Sequence, residues 1–169
     1  MKFNRSLEAR CQKIIKSITK DFPKLEGIKI HLKIKKLKKG SMYADTFFGF
    51  YYRIKVDPDK YADAKDSQII GGVAHELVHF EDFRDFGFFR HISHMISYYF
   101  KTYQKKFERS ADIKVIKKGY GYFLMLNRAH RLNKINPKEH KKIGGNYMMP
   151  DEIREYIKEN KIPQKKGLK

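Results

Sequence analysis

Apolar side chains recur at helical intervals from the start of the chain, through Phe3, Leu7, Cys11, Ile14, Ile18 and Phe22, until Pro23 breaks the run. That spacing predicts an amphipathic helix over 3–22. The period then falls to two. In "IKIHLKIKK", Ile28, Ile30, Leu32 and Ile34 alternate with Lys29, His31, Lys33 and Lys35, the pattern of a half-buried strand. "KKGSMYAD" offers a turn at Gly40, and "TFFGFYYRIKVDP" reads as strand material with a weak point at Gly49 and a stop at Asp57-Pro58. The two strands are expected to pair as a hairpin. Asp66 or Ser67 can cap the next helix, which runs to about Phe86 and is closed by a left-handed turn at Gly87. Gly71 and Gly72 lie inside it, where glycine weakens a helix, so the expected reason for them is a strand or helix packed very close. Helical spacing returns from Phe88 to Lys118, with a break near Gln104, and Gly119 and Gly121 end it. A further helix covers 122–133, "NKINPKEHKKIGGNYMMP" is loop-like, Pro150 opens a short helix, and "PQKKGLK" reads as a frayed tail.

This order of elements predicts the α+β class: a small mixed or antiparallel sheet backed by helices, in a single domain over 1–169. A chain of 169 residues, 41% hydrophobic and 14% aromatic, can bury a core, which excludes disorder. The net charge of +19 comes mostly from dispersed lysine. It suits nucleic acid, an anionic membrane surface or an acidic substrate, and nucleic acid is not favoured because the basic residues are not gathered with stacking aromatics into a module. The lone Cys11 cannot form an intramolecular disulfide and reads as a small buried hydrophobe. The start lacks the apolar core of a signal peptide, and "FGFFRHISHMISYYF" at 86–100 is too short to span a bilayer and carries Arg90, His91 and His94. The expectation is a cytoplasmic protein without a transmembrane segment, peripheral membrane contact remaining open.

One stretch carries chemistry. In "GGVAHELVHF", His75 and His79 stand four apart with Glu76 directly after the first. On a helix, residues four apart share a face, so both imidazoles can aim at one point, which suits a tetrahedral zinc ion. Glu76, turned about 100° from His75, can reach a metal-bound water and is placed to be a base. The alternative is a pair of satisfied core or surface histidines. Against it, the run from Ile69 to Phe80 is otherwise apolar, and burying two imidazoles and a carboxylate together is costly unless something binds them.

A catalytic zinc needs a third protein ligand. Asp85 has a spacing that some zinc peptidases use, but Asp82 stands where they need a chain-bending glycine, so the helix should carry Asp85 away. His91 and His94 could reach back from a second helix packed beside the first. Glu108, in "FERSAD", lies on a helix with Asp112 one turn later; alone, this pair reads as a solvated face pairing with Arg109 or Lys114.

HELVH followed by Glu108-x-x-Ala111-Asp112 resembles the gluzincin zinc peptidases, in the branch containing the prenyl-protein protease and the bacterial heat-shock membrane protease. Without the transmembrane helices of those relatives, the chain is similar to the small soluble minigluzincins over about residues 42–120. The resemblance implies a zincin-like fold and a zinc endopeptidase acting on a protein or peptide. It implies His75, His79 and Glu108 as zinc ligands and Glu76 as general base. Asp112 would orient His75 or His79, as carboxylates commonly do for ligating imidazoles. An extended substrate would pair with a sheet edge, for which "MYADTFFGF" is the candidate. The family's extra donor to the oxyanion has no motif match, leaving His130, Tyr120 and His140 as candidates. The segment after Gly145, with "NYMMPDEI", is expected on the core rather than in the cleft. Two other readings stand beside this one. An SprT-like metalloprotease acting on DNA-bound proteins would use His91 or His94 as third ligand, but Ile92 and Met95 stand where that family has glycine. A non-catalytic basic binding domain would hold a structural zinc or none, and one cysteine is too few for the usual thiolate sets.

Overall fold

The computed structural model describes residues 2–47, 50–135 and 144–166, the first three of these by backbone alone. The class is α+β, with a three-stranded mixed sheet and helices around it. Helix α1 (Lys2–Ile18) is shorter than its apolar period suggests, because the last residues tighten into single turns at Thr19–Asp21 and Pro23–Leu25. Leu7, Cys11, Ile14, Ile18 and Phe22 are buried, so the period marks the core face correctly. Burial pushes the Cys11 thiol up to about 12, leaving it the small hydrophobe expected.

Strand β1 (Ile30–Ile34) is followed by β2 (Met42–Phe47) and β3 (Tyr51–Val56). The pairing differs from the expected hairpin. The stretch 42–56 is two strands, with β2 antiparallel to β3 from Met42↔Val56 to Phe47↔Tyr51. Gly49, the weak point, lies outside the described residues. β1 lies parallel to β3, Ile30 opposite Tyr52 and Ile34 opposite Val56, so the strand order is β1-β3-β2. Tyr52, Ile54 and Val56 of the central strand are buried, while β2 stays at an edge.

Asp57 stops β3 and caps the short helix α2 (Pro58–Tyr61), its Oδ1 accepting from the Asp59 N–H at 3.0 Å. Helix α3 (Asp66–Arg84) begins after Lys65, whose backbone N–H donates to Gln68 Oε1 at 2.8 Å. It ends two residues before the expected limit, and Gly87 has φ −71° as the residue preceding α4 (Phe88–Ser97). Gly87 therefore starts a helix instead of closing one. α4 and α5 (Lys101–Val115) are separated at 98–100, earlier than Gln104.

After α5 the chain widens into one turn of π-helix, Ile116–Tyr120, where Gly119 takes φ +84°, a left-handed conformation that only glycine adopts at little cost. That turn sends α6 (Gly121–Asn133) back across α3. The crossing explains the glycine pair: a Cβ on Gly71 would fall 2.0 Å from the Phe123 carbonyl oxygen, and one on Gly72 would fall 2.9 Å from Asn127 Nδ2. Close packing, expected from the sequence, is thus the reason for both, against backbone at Gly71 and against side chains at Gly72. Helix α7 (Pro150–Glu159) packs on α6 through buried Ile153 and Ile157. The tail is better held than a frayed end as far as it is described. Lys165 donates its backbone N–H to Gly119 O at 2.9 Å, and its ammonium pairs with Asp21.

Candidate metal centre

Helix α3 is buried from Ile69 to Glu81. The α6 crossing and the sheet take up most of its surface, and the turn bearing His75 and His79 faces α5. Glu108 and Asp112, four residues apart on α5, face back. His75 Nε2 lies 3.0 Å from Glu108 Oε2 and 3.0 Å from His79 Nε2, and His79 Nε2 lies 3.3 Å from the same carboxylate oxygen. These three buried side chains lie close enough to hold a metal ion. The spacing tests the fit: donors held tetrahedrally at about 2.0–2.1 Å from a small cation stand about 3.3 Å from one another. Two imidazole nitrogens turned on each other over one carboxylate oxygen match that arrangement.

Asp112, fully buried, backs the cluster. Its Oδ1 lies 2.9 Å from His75 Nδ1, near enough for charge pairing though bent from a straight N–H···O line. Arg128 Nη2 of α6 donates to the same oxygen at 2.6 Å, and the Met148 N–H donates to Oδ2 at 2.8 Å. Asp112 therefore stands against His75 and not His79. Neither alternative partner of the carboxylate pair is used: Arg109 bonds Glu152, and Lys114 bonds Asp82.

Burial alone would favour neutral groups here, and the neighbours reverse it. Burial lowers the His75 pKa, but Asp112 and Glu108 together lift it to about 9. Burial raises the Glu108 carboxyl, and His79 and His75 hold it well below the usual carboxylate range. Asp112 is likewise held low by Arg128 and His75 against its burial.

Glu76, the residue after His75 on α3, reaches the sheet. Its Oε2 accepts the Ala44 N–H of edge strand β2 at 2.6 Å. The cluster, Glu76 and β2 line one cleft of about 610 Å³, with Tyr98 and Tyr147 among its other walls. Tyr98 donates its hydroxyl to Glu108 Oε1, and the Tyr147 ring centroid lies 5.8 Å from that of His75. Burial and the Glu108 charge push both phenols above their ordinary pKa, so both stay protonated. The segment after Gly145 divides its roles: Asn146 and Tyr147 line the cleft, while Met148 packs on the core.

The other sequence candidates lie elsewhere. His91 packs between Phe83 and Phe86, and His94 Nδ1 lies 2.9 Å from the Tyr103 hydroxyl, so neither joins the cluster. Asp85 pairs with Lys24. Tyr120 bonds Asp21, and His130 Nε2 donates to the Lys60 carbonyl at 2.7 Å; neither lines the cleft. His140 lies outside the described residues. Tyr98 and Tyr147 were missed because isolated tyrosines carry no spacing signal; only the turn at 98–100 and the α6–α7 connection bring them in. No helix among the described residues is long and apolar enough to cross a membrane. No family model, curated protein or solved structure matches the chain.

Proposed function

We propose that the protein is a zinc-dependent endopeptidase of gluzincin type. The observation that carries the reading is the convergence of His75, His79 and Glu108, with a second carboxylate, Glu76, on the same helix and in the same cleft. His75 and His79 would hold zinc through Nε2 and Glu108 through its carboxylate, with Asp112 fixing the His75 ring through Nδ1. Three protein ligands leave the fourth tetrahedral position for water or substrate, the mark of a catalytic site. Zinc bound there would supply Lewis acidity toward a peptide carbonyl and toward water.

Every other task falls to the chain. Glu76 takes a proton from the attacking water and returns it to the leaving amine. The N–H of Ala44, which Glu76 holds at 2.6 Å, shows that β2 turns backbone donors toward the cleft, so an extended peptide can add to that edge as a further strand. Tyr147, its ring centroid 5.8 Å from that of His75, lines the same space and can bond a developing oxyanion, while the Tyr98 hydroxyl is given to Glu108. The SprT-like reading loses ground because His91 and His94 are turned into aromatic neighbours.

The test is zinc content and cleavage of an unstructured protein such as casein by wild type and Glu76→Gln. The variant keeps about one zinc per chain and loses cleavage by at least about a thousandfold, the scale of removing both proton transfers. Full cleavage by the variant would overturn the proposal.

A further inference from the structure

Helix α4 is built inside out. Its inward side carries His91, which is buried, and His94, which is half-buried among Phe83, Phe86 and Phe107. Its outward side is apolar: Phe89 is 83% exposed, Met95 62% and Ile96 59%, with Ile92 at 37% between them. Directly after the helix, Tyr99 is 90% and Phe100 65% exposed. Positions 89, 92, 96 and 99 follow one another at helical spacing, so these side chains form one stripe, not scattered residues. Large contiguous apolar patches of this kind on a folded surface mark a place that something covers.

The charge around the stripe says what covers it. From 86 to 107 the chain holds Arg90, Lys101, Lys105 and Lys106 and no Asp or Glu. All four cations are exposed, and Arg90 lies over the Phe86 ring at 4.6 Å, at the margin of the stripe. With ten residues, α4 is about 15 Å long, too short to cross a bilayer but of a size to lie in its interface. We propose that the outward face of α4, with Tyr99 and Phe100, docks onto an anionic lipid bilayer, the apolar stripe entering the headgroup boundary and the flanking cations meeting the lipid charge. The opposite side of the same segment supplies His94 and Tyr98 to the cleft, so docking sets the cleft beside the bilayer surface. Docking of this kind does not depend on what the cleft hydrolyses.

The chain has no tryptophan, so Phe89→Trp places a single reporter on the stripe. Sedimentation with vesicles of phosphatidylcholine plus phosphatidylserine should pull down this protein, with a blue shift of the tryptophan emission, while phosphatidylcholine alone binds much less. Met95→Ser with Ile96→Ser in the same background should weaken binding about tenfold or more and abolish the shift, with circular dichroism unchanged. Lys105→Gln and Lys106→Gln should each weaken it roughly fivefold. Three results would overturn the proposal: no association with anionic vesicles by folded protein; association without a blue shift and indifferent to the serine changes, which assigns it to the diffuse +19 charge; or a dimer that the serine changes dissolve in protein that ignores vesicles, which assigns the stripe to a second copy.

Discussion

Helices α3 and α4 each carry two histidines, and among the described residues only one pair stands with a carboxylate close enough to hold a metal ion. His75 and His79 stand four apart on a helix buried nearly all round; His91 and His94 stand three apart on a helix whose outer face is bare. Both spacings put the imidazoles on one side of a helix, so spacing does not separate them. What differs is the surface opposite. α5 presents Glu108 to the first pair alone, while Phe107 packs on one histidine of each pair, its ring centroid 4.9 Å from that of His79 and 4.5 Å from that of His94. Glu108 and Phe107 are neighbours in sequence, and the phenyl ring packs on both helices while the carboxylate reaches only the imidazoles of α3. A carboxylate among imidazoles can hold a cation; a phenyl ring gives packing alone.

The sharpest way to break the comparison is to exchange the outcomes. Glu108→Ala or His79→Ala should lower metal affinity roughly a thousandfold or more, since each removes one of three protein ligands, whereas His91→Ala and His94→Ala should leave affinity within about threefold; metal titration by isothermal calorimetry reads both. Next in size is Asp112→Ala. It leaves the Arg128 guanidinium, 1% exposed at its side chain, without its carboxylate, so unfolding in urea should show a loss of about 3–5 kcal/mol, with metal affinity down 10- to 100-fold. Gly71→Ala should cost about 3 kcal/mol, because its methyl would enter the Phe123 carbonyl of the α3–α6 crossing; an unchanged urea midpoint would mean the helices can separate there.

The smallest effect lies far from either pair. Burial pushes the Asp21 carboxyl up, and Lys165 and the Tyr120 hydroxyl outweigh it, holding the group below its ordinary value. A carboxyl lowered on folding stabilises the protein above its unfolded pKa, and that contribution disappears as pH falls through the folded value. Asp21→Asn should therefore lower stability by under about 1 kcal/mol at neutral pH and converge with wild type as pH falls through the folded value of the carboxyl, followed by thermal melts across pH.

How much of this was legible in the sequence follows the range of the interactions. The apolar period of α1, the α3 helix with its close-packed glycines and the α7 start at Pro150 are local signals, and each matches the fold. The His75, His79, Glu108 and Asp112 cluster was legible through the resemblance of HELVH and Glu108-x-x-Ala111-Asp112 to the gluzincin motif, whereas spacing alone left Asp85, His91 and His94 open as partners of the first two histidines. What failed was long-range. Alternation in "IKIHLKIKK" names a strand but not its partner, so the parallel β1–β3 pairing was hidden. Arg128, which neutralises Asp112 from α6, and Tyr98 and Tyr147 over the cleft come from three separate segments that no periodicity links.

On the proposed reading, α3 and α5 together make a zinc site while α4 does not. The most direct measurement is the metal content of protein purified without chelator, by plasma mass spectrometry, for wild type, Glu108→Ala and His91→Ala/His94→Ala. The account predicts about one zinc per chain in wild type and in the double histidine variant, and almost none in Glu108→Ala. Zinc that stays in Glu108→Ala and leaves with His91 and His94, or wild type that binds no metal when zinc is supplied, would contradict it.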